Sequence, residues 1–252
     1  MFTEKDIPYE KLKKFGVTQE MVDDFPQNIS KVFLDGGYTP VIPIIIDGYG
    51  SEKIRTLAKV RLIQVNGTAD LLFAPRMKED RLSEFGVEEK LKLMQGDVIK
   101  IKSPDGSEVY AQYDHDIKQV MTVPTEVIEH NITSLFSGRT AFPQDNITPM
   151  LNGEKVTVTI SDDTYPGTNK GEEITVGIDL EEETGIRIAR GDARQWQQDK
   201  DNDKLPKYNF GLYGCWVKEY DGSMSYIPES NYTPEIKSEY ELRTLNPQLK
   251  VS

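Results

Sequence analysis

The chain has 252 residues, which is enough for one large domain or for two small domains with hydrophobic cores. Its 42 Asp and Glu residues against 30 Lys and Arg residues give a formal net charge of -12, and this acidity opposes non-specific binding to phosphate backbones. No apolar run is long enough to span a bilayer, and residues 1–14 lack the apolar core of a signal peptide. We therefore expect a cytoplasmic protein with no membrane partner.

Cysteine and histidine are too scarce for two common kinds of structural site. The single cysteine, Cys215, excludes an internal disulfide. With only His115 and His130 beside it, the chain lacks the four Cys or His ligands that a structural zinc ion prefers. We expect no bound metal and no cofactor.

Residues 1–24 are predicted to form a helical leader. Thr18 can cap a helix that continues through Met21. The tripeptide Phe15-Gly16-Val17 lies just before this cap and reappears as Phe85-Gly86-Val87. The sequence leaves open whether the second tripeptide corresponds to the leader or to the repeat that follows it.

One spacing recurs three times along the chain. A phenylalanine precedes a glycine by 11 residues in each copy: Phe25 and Gly36, Phe85 and Gly96, and Phe142 and Gly153. The copies are offset by 60 and 57 residues, which is typical of a duplicated supersecondary unit. We call these segments copy one, copy two and copy three.

Each copy is predicted to contain one helix and three strands. Apolar residues at helical spacing precede the glycine: Ile29, Val32 and Phe33 in copy one, and Val87, Leu91 and Met94 in copy two. Glycine at this place can take the left-handed conformation that closes a helix. Alternating apolar residues then predict strands, with the second strands at 58–62, 109–113 and 174–178 and the third at 70–73, 119–123 and 185–188. Copies two and three share an aspartate at the end of the second strand, Asp114 and Asp179.

Between copies two and three, an amphipathic helix is predicted from Thr125 to Gly138. Its apolar face comprises Val127, Ile128, Ile132, Leu135 and Phe136. The fold class is therefore α+β, with three diverged helix-plus-antiparallel-hairpin units and a C-terminal aromatic-rich hairpin. We divide the chain into residues 1–124, with the leader and copies one and two, and residues 125–252, with this helix, copy three and the hairpin.

The C-terminal region concentrates aromatic residues. Asp221-Gly222 predicts the turn of a hairpin with strands at 215–220 and 223–227, and residues 234–252 are predicted as a tail with a short helix. The candidate binding residues are Trp196, Tyr208, Phe210, Tyr213, Trp216, Tyr220 and Tyr226. Such rings are favoured at interfaces, although they could instead complete the core of the hairpin. The sequence leaves both alternatives open.

No pattern of residues indicates a catalytic site, so we expect that the protein is not an enzyme. The stretch at 167–171 (GTNKG) lacks the spacing of a phosphate-binding loop. Asp199-x-Asp201-x-Asp203 lacks the glycine and the final acidic ligand of a calcium loop. Neither histidine has a serine or cysteine that the sequence places beside it, and Cys215 is expected to be a small core residue.

Three segments carry a resemblance to a known family. The opening FTEKDIPYEKLKKFGVTQEMV, the LxxG helix ends followed by V-x-V strands, and the ending YNFGLYGCWVKEYDGSMSYIPE resemble uncharacterised domains found on conjugative transposons of gut anaerobic bacteria. These domains are often encoded near DNA topoisomerase and transfer genes. The resemblance covers most of the chain and implies an accessory role on a mobile element. The motifs that carry it are structural, so it implies no active site.

Three hypotheses about function follow. The first is a non-enzymatic protein-interaction module of a mobile genetic element. The second is an acidic mimic of nucleic acid that occupies a host restriction or defence enzyme. The third is single-stranded nucleic-acid binding through the C-terminal aromatic residues, which is disfavoured because that segment lacks a basic groove. The partner is thus expected to be a protein, while the oligomeric state stays open.

Overall fold

The computed structural model describes residues 2–48, 52–136, 144–160, 169–196 and 205–245. Within these ranges, helices are combined with four antiparallel sheets of three strands each, so the α+β class is confirmed. The sheet orders are β1-β2-β3, β4-β5-β6, β7-β8-β9 and β10-β11-β12, each with strands in chain order. The repeat units therefore do not share one continuous sheet.

The bounds of the elements follow the chain. Copy one and the leader contain α1 (Tyr9–Lys14), α2 (Gln19–Asp23), α3 (Gln27–Leu34), β1 (Ile42–Asp47), β2 (Lys53–Val65) and β3 (Thr68–Pro75). Copy two contains α4 (Val87–Met94), β4 (Ile99–Lys102), β5 (Glu108–Asp114) and β6 (Gln119–Pro124). Next come α5 (Thr125–Phe136), α6 (Gln144–Leu151), β7 (Val156–Thr159), β8 (Glu173–Ile178) and β9 (Ile186–Arg190). The C-terminal region contains β10 (Tyr208–Phe210), β11 (Gly214–Lys218), β12 (Met224–Pro228) and α7 (Pro234–Leu245).

The chain divides into two compact units that differ from the predicted division. The first unit combines residues 1–76 with residues 205–252, and the second comprises residues 77–204. The boundary that we predicted between residues 124 and 125 lies inside the second unit, where α5 directly follows β6. The prediction grouped neighbouring segments, whereas the C-terminal sheet packs on copy one: Trp216 belongs to the same buried cluster as Phe33.

The three copies end their helices in the same way. The helices α3, α4 and α6 have 8 residues each. Gly36, Gly96 and Gly153 follow them with φ angles of 84°, 78° and 86°, in the left-handed region that favours glycine. Each glycine N–H donates to the carbonyl oxygen three residues earlier, and the next N–H donates to the one five residues before it. This double hydrogen bond is the Schellman motif, so the predicted helix ends are confirmed.

The structure settles the alignment of the two Phe-Gly-Val tripeptides. Gly16 has a φ of 78° and closes α1 with the same pair of hydrogen bonds. Gly86 has a φ of -61° and instead caps the N-terminus of α4. Gly86 thus takes the place of Pro26, which caps α3 in copy one. The second tripeptide therefore belongs to the repeat, and not to the leader.

Each unit has its own buried core. In the first, Ile29 and Phe33 of α3 pack against Val60 and neighbouring residues of β2. In the second, one cluster joins α5 and α6 to β8, and a smaller cluster joins Leu93 of α4 to Ala111 of β5. Asp114 and Asp179 are buried where β5 and β8 end, and each carboxylate accepts a backbone N–H of the following turn. Their repetition is therefore explained by turn structure.

Some apolar residues that we expected on the buried faces of α4 and α5 are exposed in the structure. Val87, Leu91 and Met94 are 79%, 55% and 50% exposed, whereas Leu93 is fully buried. The Leu93 side of α4 packs on the sheet of copy two, while the stripe formed by Val87, Leu91 and Met94 faces solvent. In α5, Ile128, Ile132 and Phe136 are buried as predicted, while Val127 is exposed. Gly138, Phe142 and Asp199 to Asp203 lie outside the described residues.

Candidate protein-interaction site

The sheet β10-β11-β12 buries one side of β11 in the core of the first unit. Trp216 is 1% exposed, and its ring centroid lies 5.2 Å from that of Phe25 in a stacked arrangement. The indole Nε1 donates a hydrogen bond of 2.8 Å to the carbonyl oxygen of Met21. Tyr226 lies opposite Trp216 on β12, with ring centroids 5.2 Å apart. Trp216 is therefore a core residue and cannot offer its ring to a ligand, which corrects our prediction for it.

The other side of β11 is covered by α7. Because side chains alternate along a strand, Cys215 and Val217 face this side and pack with Tyr208 and with Ile236 of α7. The Tyr208 hydroxyl donates to Glu235 Oε1 at 2.5 Å, and the Arg243 guanidinium donates to the Tyr208 carbonyl oxygen at 2.8 Å. Phe210 is half-buried, with the Tyr240 ring 5.2 Å away. Residues 234–245 are thus a packed helix, where we predicted a tail with only a short helix.

A buried carboxylate fixes the loop between β10 and β11. Asp24 is 4% exposed and accepts backbone N–H groups from Leu212, at 2.6 Å, and from Tyr213, at 3.0 Å. It also accepts the Tyr226 hydroxyl at 2.5 Å. A buried charge needs such donors because burial removes its hydration. The pKa of Tyr226 is raised, first by burial and second by the hydrogen bond to Asp24.

This loop begins and ends with glycine, because neighbouring atoms leave no room for a Cβ at either position. We call residues 211–214 the latch loop. A Cβ on Gly211 would lie 2.2 Å from Asp24 Cγ, and one on Gly214 would lie 2.6 Å from the Ile227 carbonyl oxygen. Hydrogen bonds close the loop on both sides, since Gly211 N–H donates to Gly214 O and Glu229 N–H donates to Tyr213 O. The backbone of the latch loop is therefore tied to the fold on both sides.

The latch loop presents two large side chains to solvent. Leu212 is 82% exposed and Tyr213 is 49% exposed, although backbone atoms of both residues are tied into the fold. Exposed apolar groups on a fixed backbone favour binding because little conformational entropy is lost when a partner docks. Leu212 and Tyr213 are thus the best candidates for a contact surface in the first unit.

The remaining predicted site residues lie in different environments. Tyr220 is fully exposed, but it lies beyond the opposite end of β11 from Tyr213. Trp196 belongs to the second unit, is 3% exposed and has the Arg187 guanidinium 5.1 Å from its ring centroid. Buried Trp196, Tyr208 and Trp216 cannot act as surface rings, so for these three the core alternative holds. Among the seven, Tyr213 and Tyr220 are the exposed rings.

No local pattern in the sequence marks Asp24 or Leu212. The partners of Asp24 lie 188 to 202 residues later in the chain, so its role depends on the tertiary fold. The one signal that could have found the latch loop is the pair Gly211 and Gly214 around two apolar residues, because closely spaced glycines often mark a close backbone approach. The aromatic pattern included Tyr213 and missed the neighbouring Leu212.

The potential nucleophiles have unreactive surroundings. Cys215 is fully buried, as predicted, and burial raises the pKa of its thiol to about 11, so it is protonated at neutral pH. His130 does have a serine beside it, contrary to our expectation: Ser134 Oγ lies 3.5 Å from His130 Nε2. This contact joins adjacent turns of an exposed helix face, where residues four positions apart are neighbours.

The net charge is distributed very unevenly. Residues 77–204, which form the second unit, contain 26 acidic and 15 basic residues, a net charge of -11. The residues of the first unit contain 16 acidic and 15 basic residues, a net charge of -1. Within the described ranges, no cluster of three or more His, Cys, Asp and Glu residues could hold a metal ion. In the same ranges, every helix is too short or too polar to cross a membrane.

Comparisons with protein-family models, with curated proteins and with solved structures found no match for this chain. The assignment of function therefore depends on the geometry of the fold and of the latch loop.

Proposed function

We propose that the chain is a non-enzymatic protein-interaction module that acts in the cytoplasm as an accessory of a mobile genetic element. The association with a mobile element is supported by the resemblance of the opening and closing segments. The interaction role is supported by one observation above all: the latch loop exposes Leu212 and Tyr213 on a backbone that buried Asp24 fixes. A surface of this kind suits a protein partner with an apolar pocket.

Affinity purification from the native host, with and without nuclease, tests this proposal. The tagged wild-type protein is compared with the double variant Leu212→Ser/Tyr213→Ser, which changes exposed side chains only. The matched control is Tyr220→Ser, an exposed aromatic residue of the same region outside the latch loop. We expect a stoichiometric, nuclease-resistant protein partner that the double variant binds at least ~10-fold more weakly and the control binds normally. A partner that binds all three proteins equally would contradict the role of the latch loop.

Nucleic-acid mimicry is a second candidate, which the concentration of charge supports. The second unit carries -11 of the net charge of -12, and an acidic surface can occupy a site built for phosphates. Under this hypothesis, the partner is a nucleic-acid-processing enzyme, and competing DNA displaces it. Replacing exposed Glu182 and Glu183 by Gln would then weaken binding, whereas Leu212→Ser/Tyr213→Ser would not.

Binding of single strands through stacked aromatic rings has the least support. A stacking platform needs exposed rings beside a basic groove. Trp196, Tyr208 and Trp216 are buried, which leaves Tyr213 and Tyr220 as the exposed rings among the candidates. A salt-sensitive affinity for single-stranded DNA that Tyr213→Ala abolishes would restore this hypothesis.

A further inference from the structure

Copy two has an open groove beside its helix and first strand. The volume of the groove is ≈ 560 Å³. Its walls are formed by Glu84, Phe85, Glu89, Lys100, Ile101, Lys102 and Glu108. The groove borders β4, which is an edge strand of the sheet β4-β5-β6. It therefore combines a sheet edge, an aromatic ring and several charged groups.

Four residues of this groove correspond to buried residues of copy one. Before the repeat glycine, positions are counted from Gly96 or Gly36; in the sheet they are matched through the second strand, where Val109 takes the place of Ala58. The pairs are Glu84 with Asp24, Phe85 with Phe25, Glu89 with Ile29, and Ile101 with Ile42. In copy one, all four of these residues are less than 9% exposed. The same surface of the repeat is thus covered in copy one and open in copy two.

The C-terminal strands provide the cover in copy one. Asp24 accepts the latch-loop N–H groups, and Phe25 stacks on Trp216. The Met224 N–H of β12 donates to the Val41 carbonyl oxygen at 2.7 Å. A carboxylate, an aromatic ring and the backbone just before β1 therefore bind a hairpin of the same chain.

The corresponding groups in copy two face the groove. The Glu84 side chain is 66% exposed, with an exposed Arg81 at 4.0 Å as its ion-pair partner. Phe85 is half-buried, and β4 pairs with β5 alone among the described strands. Copy two thus retains the carboxylate, the ring and the sheet edge that hold a hairpin in copy one.

We propose that the copy-two groove binds a β-hairpin of a partner protein that carries a tryptophan on its middle strand. The tryptophan packs on Phe85, backbone N–H groups of the partner donate to the Glu84 carboxylate, and the hairpin extends the sheet at β4. Adding a strand to an exposed edge is a general mode of peptide recognition. This inference rests on the proposed protein-binding role and concerns residues of copy two, none of which belongs to the latch loop.

The occupant is a partner and not the chain's own hairpin, because Trp216 is 1% exposed and already packs in copy one. The groove also suits a partner that dissociates. Glu89 is charged where copy one has Ile29, and charged groups at a rim tolerate water when the site is empty. Copy one instead buries apolar residues under its hairpin.

Peptide binding to the full-length protein tests the inference. The probe is a backbone-cyclised, fluorescent peptide with the sequence of residues 207–229 and the change Cys215→Ser, since a linear hairpin is only marginally stable. Fluorescence anisotropy should show saturable binding, and the change Trp216→Ala in the peptide should weaken it at least ~10-fold. In the protein, Glu84→Arg should weaken it to a similar degree. The matched control Glu88→Arg makes the same charge change at an exposed position of α4 that lies outside the groove. It should alter the affinity less than ~2-fold.

Three outcomes would overturn the inference. The first is an absence of saturable binding. The second is that the peptide with Trp216→Ala binds as tightly as the peptide that keeps Trp216. The third is that the peptide binds the Glu84→Arg protein as tightly as it binds the wild-type protein. The last outcome would mean that the peptide displaces the native hairpin from copy one. Leu212→Ser/Tyr213→Ser should leave peptide binding unchanged, so a failure of the groove inference is distinguishable from a failure of the latch-loop proposal.

Discussion

Copy one and copy two share an eight-residue helix, the same glycine-closed helix end and a three-stranded antiparallel sheet. They differ in what lies on the helix and on the first strand. In copy one, the C-terminal hairpin buries Phe25 against Trp216, whereas the corresponding Phe85 borders an open groove. A repeat thus keeps its local structure through its own sequence, while the burial of its outer surface depends on a segment far away in the chain.

The largest expected effect is that of removing the Trp216 ring, which the C-terminal hairpin packs on copy one. Trp216→Ala should lower the free energy of unfolding of the first unit by about 3–5 kcal/mol, because it opens a cavity in the core. Phe85→Ala should cost only about 1 kcal/mol, since its ring is partly exposed and leaves no closed cavity. Urea unfolding followed by circular dichroism measures both. Equal losses would show that the Phe85 ring is enclosed as fully as the Trp216 ring.

The repeat glycines should differ in their tolerance of alanine. Gly96→Ala should cost about 1–2 kcal/mol, because its φ of 78° strains a residue with a Cβ, although no atom lies within 4 Å of that Cβ. Gly153→Ala should cost at least about 1 kcal/mol more, because its Cβ would lie 2.5 Å from the Val98 carbonyl oxygen. Thermal unfolding of both variants tests this order. The reverse order would contradict the close approach of Gly153 to Val98.

Alkaline pH should weaken the contact between copy one and its hairpin. Because the folded state raises the pKa of Tyr226, this residue stabilises the fold fully below pH ~10, where the unfolded tyrosine also keeps its proton. Above pH ~10 the unfolded state loses the proton first, so stability falls, by up to about 1.4 kcal/mol per pH unit for one group. Tyr226→Phe should therefore show a shallower decline in stability between pH ~10 and pH ~11. A decline in Tyr226→Phe as steep as that of the wild-type protein would be evidence against this role of Tyr226.

The smallest expected effect concerns the exposed stripe of α4. Replacing Val87, Leu91 or Met94 by Ser should change the free energy of unfolding by no more than about 0.5 kcal/mol each, because these side chains face solvent. Leu93→Ala on the buried side should cost about 2–5 kcal/mol. Chemical denaturation measures the difference. Large losses at the stripe would indicate that another part of the protein covers it.

The sequence predicted those features whose causes are local. The 11-residue spacing located the three helices, their glycine-closed ends and the strands after them, because periodicity and left-handed glycine act over a few residues. The Asp221-Gly222 turn was predicted for the same reason, and Gly222 has a φ of 82°. The strand β10 was missed, and the extent and packing of α7 were underestimated. Three residues give too short a pattern for a strand, and α7 is largely polar, with Ile236 as its buried residue.

The candidate site was only partly predictable. Aromatic composition indicated the right region and included Tyr213, but it could not separate exposed rings from the buried Trp216 and Tyr208. That distinction depends on which side of β11 faces copy one and which side faces α7. Asp24 and the groove around Phe85 result from contacts, present or missing, between segments far apart in the chain. Such contacts leave no periodic trace in a single sequence.

Hydrogen exchange on the full-length protein is the most direct test of the central claim, that copy two offers a partner the surface that copy one buries under its own hairpin. In the free protein, amides of the covered β1 (Ile42–Asp47) should exchange more slowly than amides of the edge strand β4 (Ile99–Lys102). Addition of the cyclised hairpin peptide should slow exchange in β4 and leave β1 unchanged. Protection that appears in β1, or in neither strand, would contradict the claim.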